Sequence, residues 1–217
     1  TLCRSSAASD VYKRQALIQD KLLNSNRLFT TSTIGTLRMQ KDATEQDILR
    51  INAHQADIAM RKAWDIIKPG LTEENIALAI QNSFSDQGAL PQFSIVASGS
   101  NSAFPHHQTG SRKLKEGDAI VIDLGGKFEG YASDITRMSS IGAPPKEYAS
   151  IHQIVEDAVC AAMAAARPGQ IAKNVDRAAR EVIEKAGFGK YFVHRTGHGL
   201  GSEIHEPPFI TLSLIHI

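Results

Sequence analysis

Asp123 and Asp134 stand eleven residues apart in the stretch Ile122-Asp123-Leu124-Gly125-Gly126-Lys127-Phe128-Glu129-Gly130-Tyr131-Ala132-Ser133-Asp134. Folded as a hairpin centred between Phe128 and Glu129, this stretch sets the two carboxylates opposite each other, with Cβ atoms roughly 4.5–5.5 Å apart. Two bare carboxylates that close repel. A divalent cation between them, or a pair of cations about 3.5–4 Å apart, turns the repulsion into a binding site. The plainer alternative is a pair of turn-flanking aspartates that keep a hairpin soluble. Asp123 argues against it, because it follows the apolar run Ala119 to Ile122. A lone carboxylate buried there is costly unless it is paired or bound to metal.

The second group is His194-Arg195-Thr196-Gly197-His198-Gly199-Leu200-Gly201-Ser202-Glu203-Ile204-His205-Glu206-Pro207-Pro208. The glycines around His198 disfavour helix and favour a tight, exposed backbone. A neutral imidazole at His198 can complete a mixed oxygen and nitrogen site with the aspartates. His194 and His205 then face substrate or support the ligands. The alternative is a glycine-rich surface loop with incidental histidines. Three of the chain's eight histidines lie in this one loop, which weighs against it. The third group is Pro105-His106-His107. Adjacent side chains diverge, so at most one of these two histidines faces a given site. Arg137 either pairs with a carboxylate or is an exposed hairpin arginine. Cys160 lies among alanines on a helix and reads as a buried structural thiol.

The elements that must hold these groups follow from periodicity. Leu49, Ala53, Ala56, Met60, Ala63 and Ile67 make an amphipathic helix over 44–67, capped by Thr44 and stopped by Pro69-Gly70. Thr72 caps a second helix, with Ile76, Ala77, Ile80 and Phe84 on one face and Gln87-Gly88 at its end. Phe93–Ala97 and Ala119–Leu124 read as strands. In the latter, Ile120, Ile122 and Leu124 share one face, and Val121 and Asp123 the other. Tyr131–Ile141 is the return strand. Ile151, Val155, Ala158, Ala162 and Ala165 mark a helix ended by Pro168-Gly169. Ile171, Val175, Ala178, Val182 and Ala186 mark another, ended by Gly187. Tyr191-Phe192-Val193 reads as a strand leading to the histidine loop. Lys-Pro-Gly at 68–70 and Arg-Pro-Gly at 167–169 suggest two α+β halves of similar plan.

Composition narrows the classes. The chain has 217 residues, 42% hydrophobic and 22% charged, with net charge +1. These values suit a soluble globular protein and give no sign of nucleic acid or membrane as partner. No apolar run reaches the ~18 residues of a membrane span. Cys3 and Cys160 form no disulfide framework, which fits a cytoplasmic location. Residues 1–15 and 212–217 match no periodicity around them and resemble translated adaptor sequence. The expected organisation is therefore a non-native segment at 1–15, the end of an N-terminal domain or linker at 16–40, a catalytic domain at 41–211, and a second non-native segment at 212–217.

Together these motifs resemble the M24 metallopeptidases of the pita-bread fold, an α+β architecture, and in particular the Xaa-Pro branch that holds Xaa-Pro dipeptidase and aminopeptidase P. The matching segments are Leu37-Arg38-Met39, Phe93–Gly99, Pro105-His106, Asp123-Leu124-Gly125, Gly130–Arg137, Gly197–Gly201 and His205-Glu206-Pro207. The resemblance spans about Leu37 to Ile210. It implies a fold incomplete at the C-terminus and a site of two divalent metal ions, manganese first, with cobalt or zinc as alternatives. It assigns Asp123, Asp134 and His198 as metal ligands. Two further glutamate ligands belong to later strands, and Glu203 and Glu206 do not replace them. His106 and His205 match catalytic and substrate-contacting histidines, with His205 at the tetrahedral intermediate. His194 matches a proline-pocket histidine. The implied activity is hydrolysis of Xaa-Pro bonds in short proline-containing peptides by a homodimer at full length, with this chain inactive by itself. Methionine aminopeptidase shares the aspartate spacing and the loop, but Leu37-Arg38, Phe93–Gly99 and Thr136-Arg137 favour the Xaa-Pro branch. A metal-free creatinase-like enzyme or a non-catalytic scaffold would have lost ligand positions that this chain retains.

Overall fold

In the computed structural model, which describes residues 34–212, the first long helix is capped by Asp42 rather than Thr44. Asp42 accepts from the Glu45 backbone amide, and the Glu45 side chain accepts from the Asp42 amide in return, a reciprocal capping box. The described residues from Thr36 onward belong to one compact unit. The adaptor-like 1–15, Cys3, most of 16–40 and residues 213–217 lie outside the described residues.

The helices are α1 (Ile34–Met39), α2 (Ala43–Ile66), α3 (Glu73–Asp86), α4 (Tyr148–Ala165) and α5 (Ala172–Lys185). The strands are β1 (Leu90–Ser98), β2 (Ala119–Phe128), β3 (Tyr131–Ala132), β4 (Ile135–Ser140), β5 (Gly197–Gly199) and β6 (Glu206–Ile210). β2 is the centre of an antiparallel sheet, with β1 on one side and β3 and β4 on the other. β5 and β6 form a separate antiparallel pair. None of the described helices is long and apolar enough to cross a membrane.

The β2 alternation holds. Ile120, Ile122 and Leu124 are fully buried, and they pack with Met60, Ile76, Ile80 and Phe84 of α2 and α3. The hairpin register differs from expectation. Glu129 and Gly130 both have positive φ, 50° and 82°, as a two-residue type I′ turn requires. The turn therefore centres between these two residues, one step later than expected. Asp123 pairs with Thr136, not with Asp134. Asp134 becomes its diagonal neighbour on the same face, at a typical distance of about 7–8 Å between backbones.

The return strand is also broken at Ser133-Asp134. Ser133 is buried and folds back on Gly126: its amide donates to the Gly126 carbonyl at 2.8 Å, and its hydroxyl accepts from the Gly126 amide at 3.0 Å. Gly126 has no room for a side chain, since a Cβ there would stand 2.5 Å from the buried Phe84 ring. Asn52 on α2 fixes the hairpin from the other side. It is buried, its amide donates to the Phe128 carbonyl and its Oδ1 accepts from the Phe128 amide.

The second helical pair packs on a core of its own, Ala158, Ala162, Val175, Ala179 and Ile183. The buried face of α5 is Ala172, Val175, Asp176, Ala179 and Ile183, rotated from the expected stripe because Asp176 turns inward to meet polar partners. On α4 only Ala158 and Ala162 are buried. Ile151, Val155, Val159 and Met163 are exposed, and so is Cys160, contrary to the buried thiol expected. Nothing among the described residues covers that side of α4. Tyr191 ends a short 3-10 turn and Val193 is 88% exposed, so the expected strand there is absent. Both helical pairs turn on a Pro-Gly whose glycine has positive φ, Gly70 at 89° and Gly169 at 83°, and both second helices have 14 residues. These parallels agree with two halves of similar plan.

Two consequences can be measured. Gly126→Ala forces Phe84 or β2 to move and lowers stability by about 1–3 kcal/mol in urea unfolding, the usual cost of overpacking. Asp118 accepts two hydrogen bonds from Arg112, which holds its carboxyl below the ordinary range. A depressed folded pKa stabilises at pH above the unfolded value and is lost as pH falls through the folded one. Asp118→Asn is therefore destabilised at pH 7, and its loss of stability on acidification is shallower than that of the unsubstituted chain.

Candidate metal centre

Asp123 leaves the exposed-side face of β2, and Thr136 opposite it donates its hydroxyl to Asp123 Oδ1 at 2.7 Å. Asp134 follows the break after β3. Burial pushes the carboxyl of Asp123 up, with a smaller upward push from Asp134, against the pull of Thr136, His106 and His198. Burial likewise raises Asp134, opposed by His198. Both carboxylates are short of positive partners.

His198 arrives from the other substructure, on β5. Gly199 allows this approach, because a Cβ there would collide with the backbone of Glu206 and Pro207. His198 Nδ1 lies 2.9 Å from the Gly199 carbonyl oxygen, which can only accept. Nδ1 therefore donates to that carbonyl, which leaves Nε2 facing Asp134. Nε2 stands 3.3 Å from Asp134 Oδ2. A proton or a cation can bridge two atoms at that separation. The His205 ring packs against His198, with centroids 4.3 Å apart. Donor atoms of Asp134, His198 and His205 all lie within 4.8 Å of one another. That group of one carboxylate and two imidazoles suits a divalent transition metal; Asp123 is not part of it. The residues present fit a divalent cation on these grounds.

The remaining candidates fall around this centre. His106 is exposed, and its ring lies edge-on to His194 with centroids 6.1 Å apart. Its charge also reaches Asp123 and His205. His194 Nδ1 donates to the Arg195 carbonyl at 3.0 Å. Burial, then the positive neighbours His198, Arg195 and His106, disfavours the charged form of His205. His107 turns away to Glu73, so the two adjacent histidines do diverge. Arg137 is exposed and donates to the Thr136 carbonyl, which leaves it outside the centre. Glu206 is buried and ion-paired to Arg38 at 2.8 Å and Lys41 at 2.5 Å. It is a structural anchor of the histidine loop, in line with its exclusion as a ligand.

Sequence reasoning missed the groups that brace these loops. Asp176, fully buried, accepts from Arg180 and from the amide and hydroxyl of Thr196. Arg180 also donates to the Phe192 and His194 carbonyls. The spacing of Asp176 and Arg180 by four on a helix was the available signal. Lys127 donates to the Ser202 carbonyl, and the Ala132 amide to that of Gly201, which ties the loop to the hairpin. No local signal marks those contacts.

The chain is similar in sequence and fold to known peptidases. A dipeptidase of Mycobacterium tuberculosis, described as "Probable dipeptidase PepE", is 42% identical over 185 residues, covering 84% of this chain and 49% of the relative. The solved prolidase from Pyrococcus furiosus superposes with a TM-score of 0.81 at 40% identity, over 83% of this chain and 54% of that one. The solved X-Pro aminopeptidase from Thermotoga maritima gives 0.83 at 34% identity, over 94% and 58%. The chain thus spans about half the length of the curated relatives it matches. The pattern of metallopeptidase family M24 matches residues 47–213. A family whose pattern takes in the aspartate hairpin, the histidine loop and the elements bracing both is the one to which this chain belongs: metallopeptidase family M24, with the pita-bread fold.

Proposed function

We propose that this chain is the greater part of the catalytic domain of an Xaa-Pro peptidase, with Asp123, Asp134 and His198 as metal ligands. The observation that carries the reading is His198 Nε2 facing Asp134 Oδ2 across 3.3 Å, with Nδ1 on the Gly199 carbonyl. The relatives support the substrate class, since they include proteins described as Xaa-Pro dipeptidase, prolidase and X-Pro aminopeptidase. Two divalent cations, manganese first, would lower the pKa of a bound water and polarise the scissile carbonyl when present.

The chain's own residues have distinct tasks in this reading. Asp123 and Asp134 supply negative charge on one face of the hairpin. Thr136 holds one Asp123 oxygen by its hydroxyl, which orients the other. His205 meets substrate as a neutral imidazole with one N–H to donate to the oxygen that becomes negative. His106 and His194 form an exposed pair at the margin of the centre, placed to contact substrate and its proline ring. An Xaa-Pro bond is a tertiary amide with no N–H, so recognition of the ring must come from such side chains. The reading extends to a cytoplasmic enzyme, homodimeric at full length; the free, exposed Cys160 suits a reducing compartment.

Activity and ligation test this separately. Of the five ligands the resemblance implies, three are found here, so the 217-residue chain alone binds Mn²⁺ weakly in calorimetric titration and does not turn over Gly-Pro. Asp134→Asn abolishes the residual binding. A protein extended to the length of the relatives hydrolyses Gly-Pro and not Met-Ala-Ser. Cleavage of Met-Ala-Ser alone would transfer the assignment to the methionine aminopeptidase branch.

A further inference from the structure

His107 has no task in the proposed chemistry, and neither does the residue it meets. Glu73, the first residue of α3, is fully buried. A carboxylate withdrawn from water costs stability unless donors surround it. Glu73 has five. Oε1 accepts from the Ser98 amide at 2.8 Å, the Ser98 hydroxyl at 2.7 Å and Asn101 Nδ2 at 3.0 Å. Oε2 accepts from His107 Nε2 at 2.9 Å and, at 3.4 Å, from the Gly110 amide. Burial pushes the carboxyl up, but these bonds outweigh it and hold Glu73 below its ordinary range. It is an anion at neutral pH.

These donors all lie on one excursion of the chain. It leaves β1 at Ser98, runs through the 3-10 turn Gly99–Ala103, passes His106 and returns at Gly110. The Glu73 and Glu74 amides donate to the Arg112 and Gly110 carbonyls, closing its far end. Between Asn101 and Gly110 the only side chain on Glu73 is His107. His106 is its immediate neighbour and is exposed. Successive side chains diverge, so seating the His107 ring on Glu73 turns His106 the other way, toward His194.

We propose that Glu73 and His107 are positioning residues: the buried carboxylate, acting through the His107 imidazole, sets the course of residues 104–110 so that the His106 ring stands against His194 at the edge of the metal centre. What His106 then does for a substrate rests on the peptidase reading; its placement does not.

The test uses the 217-residue chain labelled with ¹³C-histidine and read by ¹H–¹³C correlation spectra. The His106 signal is assigned by its loss in His106→Asn. In the unsubstituted chain His194→Asn moves the His106 signal, because the two rings are in contact. His107 is replaced in two ways. A glutamine amide reaches where Nε2 sits and can still donate to Glu73; an asparagine amide is too short. His107→Asn is expected to shift the His106 signal toward that of the exposed His54 and to remove its response to His194→Asn. His107→Gln retains both the position and the response. Glu73→Gln follows His107→Asn; if that buried substitution prevents folding, the two His107 variants decide the matter. An unchanged His106 signal and response in His107→Asn overturns the proposal. So does equal disruption by His107→Gln, which would mean that ring volume and not the bond to Glu73 sets the loop. Gly-Pro hydrolysis by the extended protein is scored apart: its absence beside the expected spectra rejects the peptidase reading and leaves the positioning intact.

Discussion

A carboxylate taken out of water must be met by donors or by a cation, and the arrangement of this protein follows from how six carboxylates among the described residues answer that rule. Glu73, Asp118, Asp176 and Glu206 are met in full by amides, hydroxyls, guanidinium, ammonium or imidazole groups, and all four are held below their ordinary range. Asp123 and Asp134 are not, and both are pushed above it. The contrast separates structure from site. Three of the satisfied four tie loops to helices or their entrances: Glu73 the segment with His106, Asp176 the approach to His198, Glu206 the stretch that ends at His205. The unsatisfied two lie where those loops converge. Their shortage of protein donors is the feature on which the proposed metal site rests.

Much of this was legible in the sequence. The apolar alternation of β2 fixed which face Asp123 takes, and the eleven-residue spacing kept Asp134 on the same face even though the register moved. That robustness is a matter of parity: a turn displaced by one residue shifts partners by two, and two positions along a strand restore the same side. The register itself was misjudged because Glu-Gly is a weaker type I′ signal than Asn-Gly, and the expectation took the symmetric midpoint of the aspartates instead of the residues able to hold positive φ. The glycines around His198 correctly disfavoured helix, but the exposed backbone expected there is half-buried at Gly197–Gly199 and buried at Gly201.

The bracing groups were less legible, for physical reasons. Asn52 to Phe128, Lys127 to Ser202 and Arg38 to Glu206 join residues far apart in the chain, and nothing local in an asparagine or lysine states its distant partner. Cys160 and the α4 stripe failed differently. Periodicity reports which residues share a face; of the expected stripe, Ala158 and Ala162 are buried and Ile151 and Val155 are exposed. It does not report whether that face is covered.

The two hydrophobic cores have no residue in common. One supports the aspartate hairpin and the other the approach to the histidine loop, and the links between them are polar: Lys127 and Ala132 to the loop, Arg38 and Lys41 to Glu206, His198 to Asp134. Packing changes in one core therefore leave the other core's shape untouched, and substitutions drawn one from each should add in their effects on stability. The apolar residues of one core can therefore be changed without a matching change in the other, while each bond between the halves needs both of its partners.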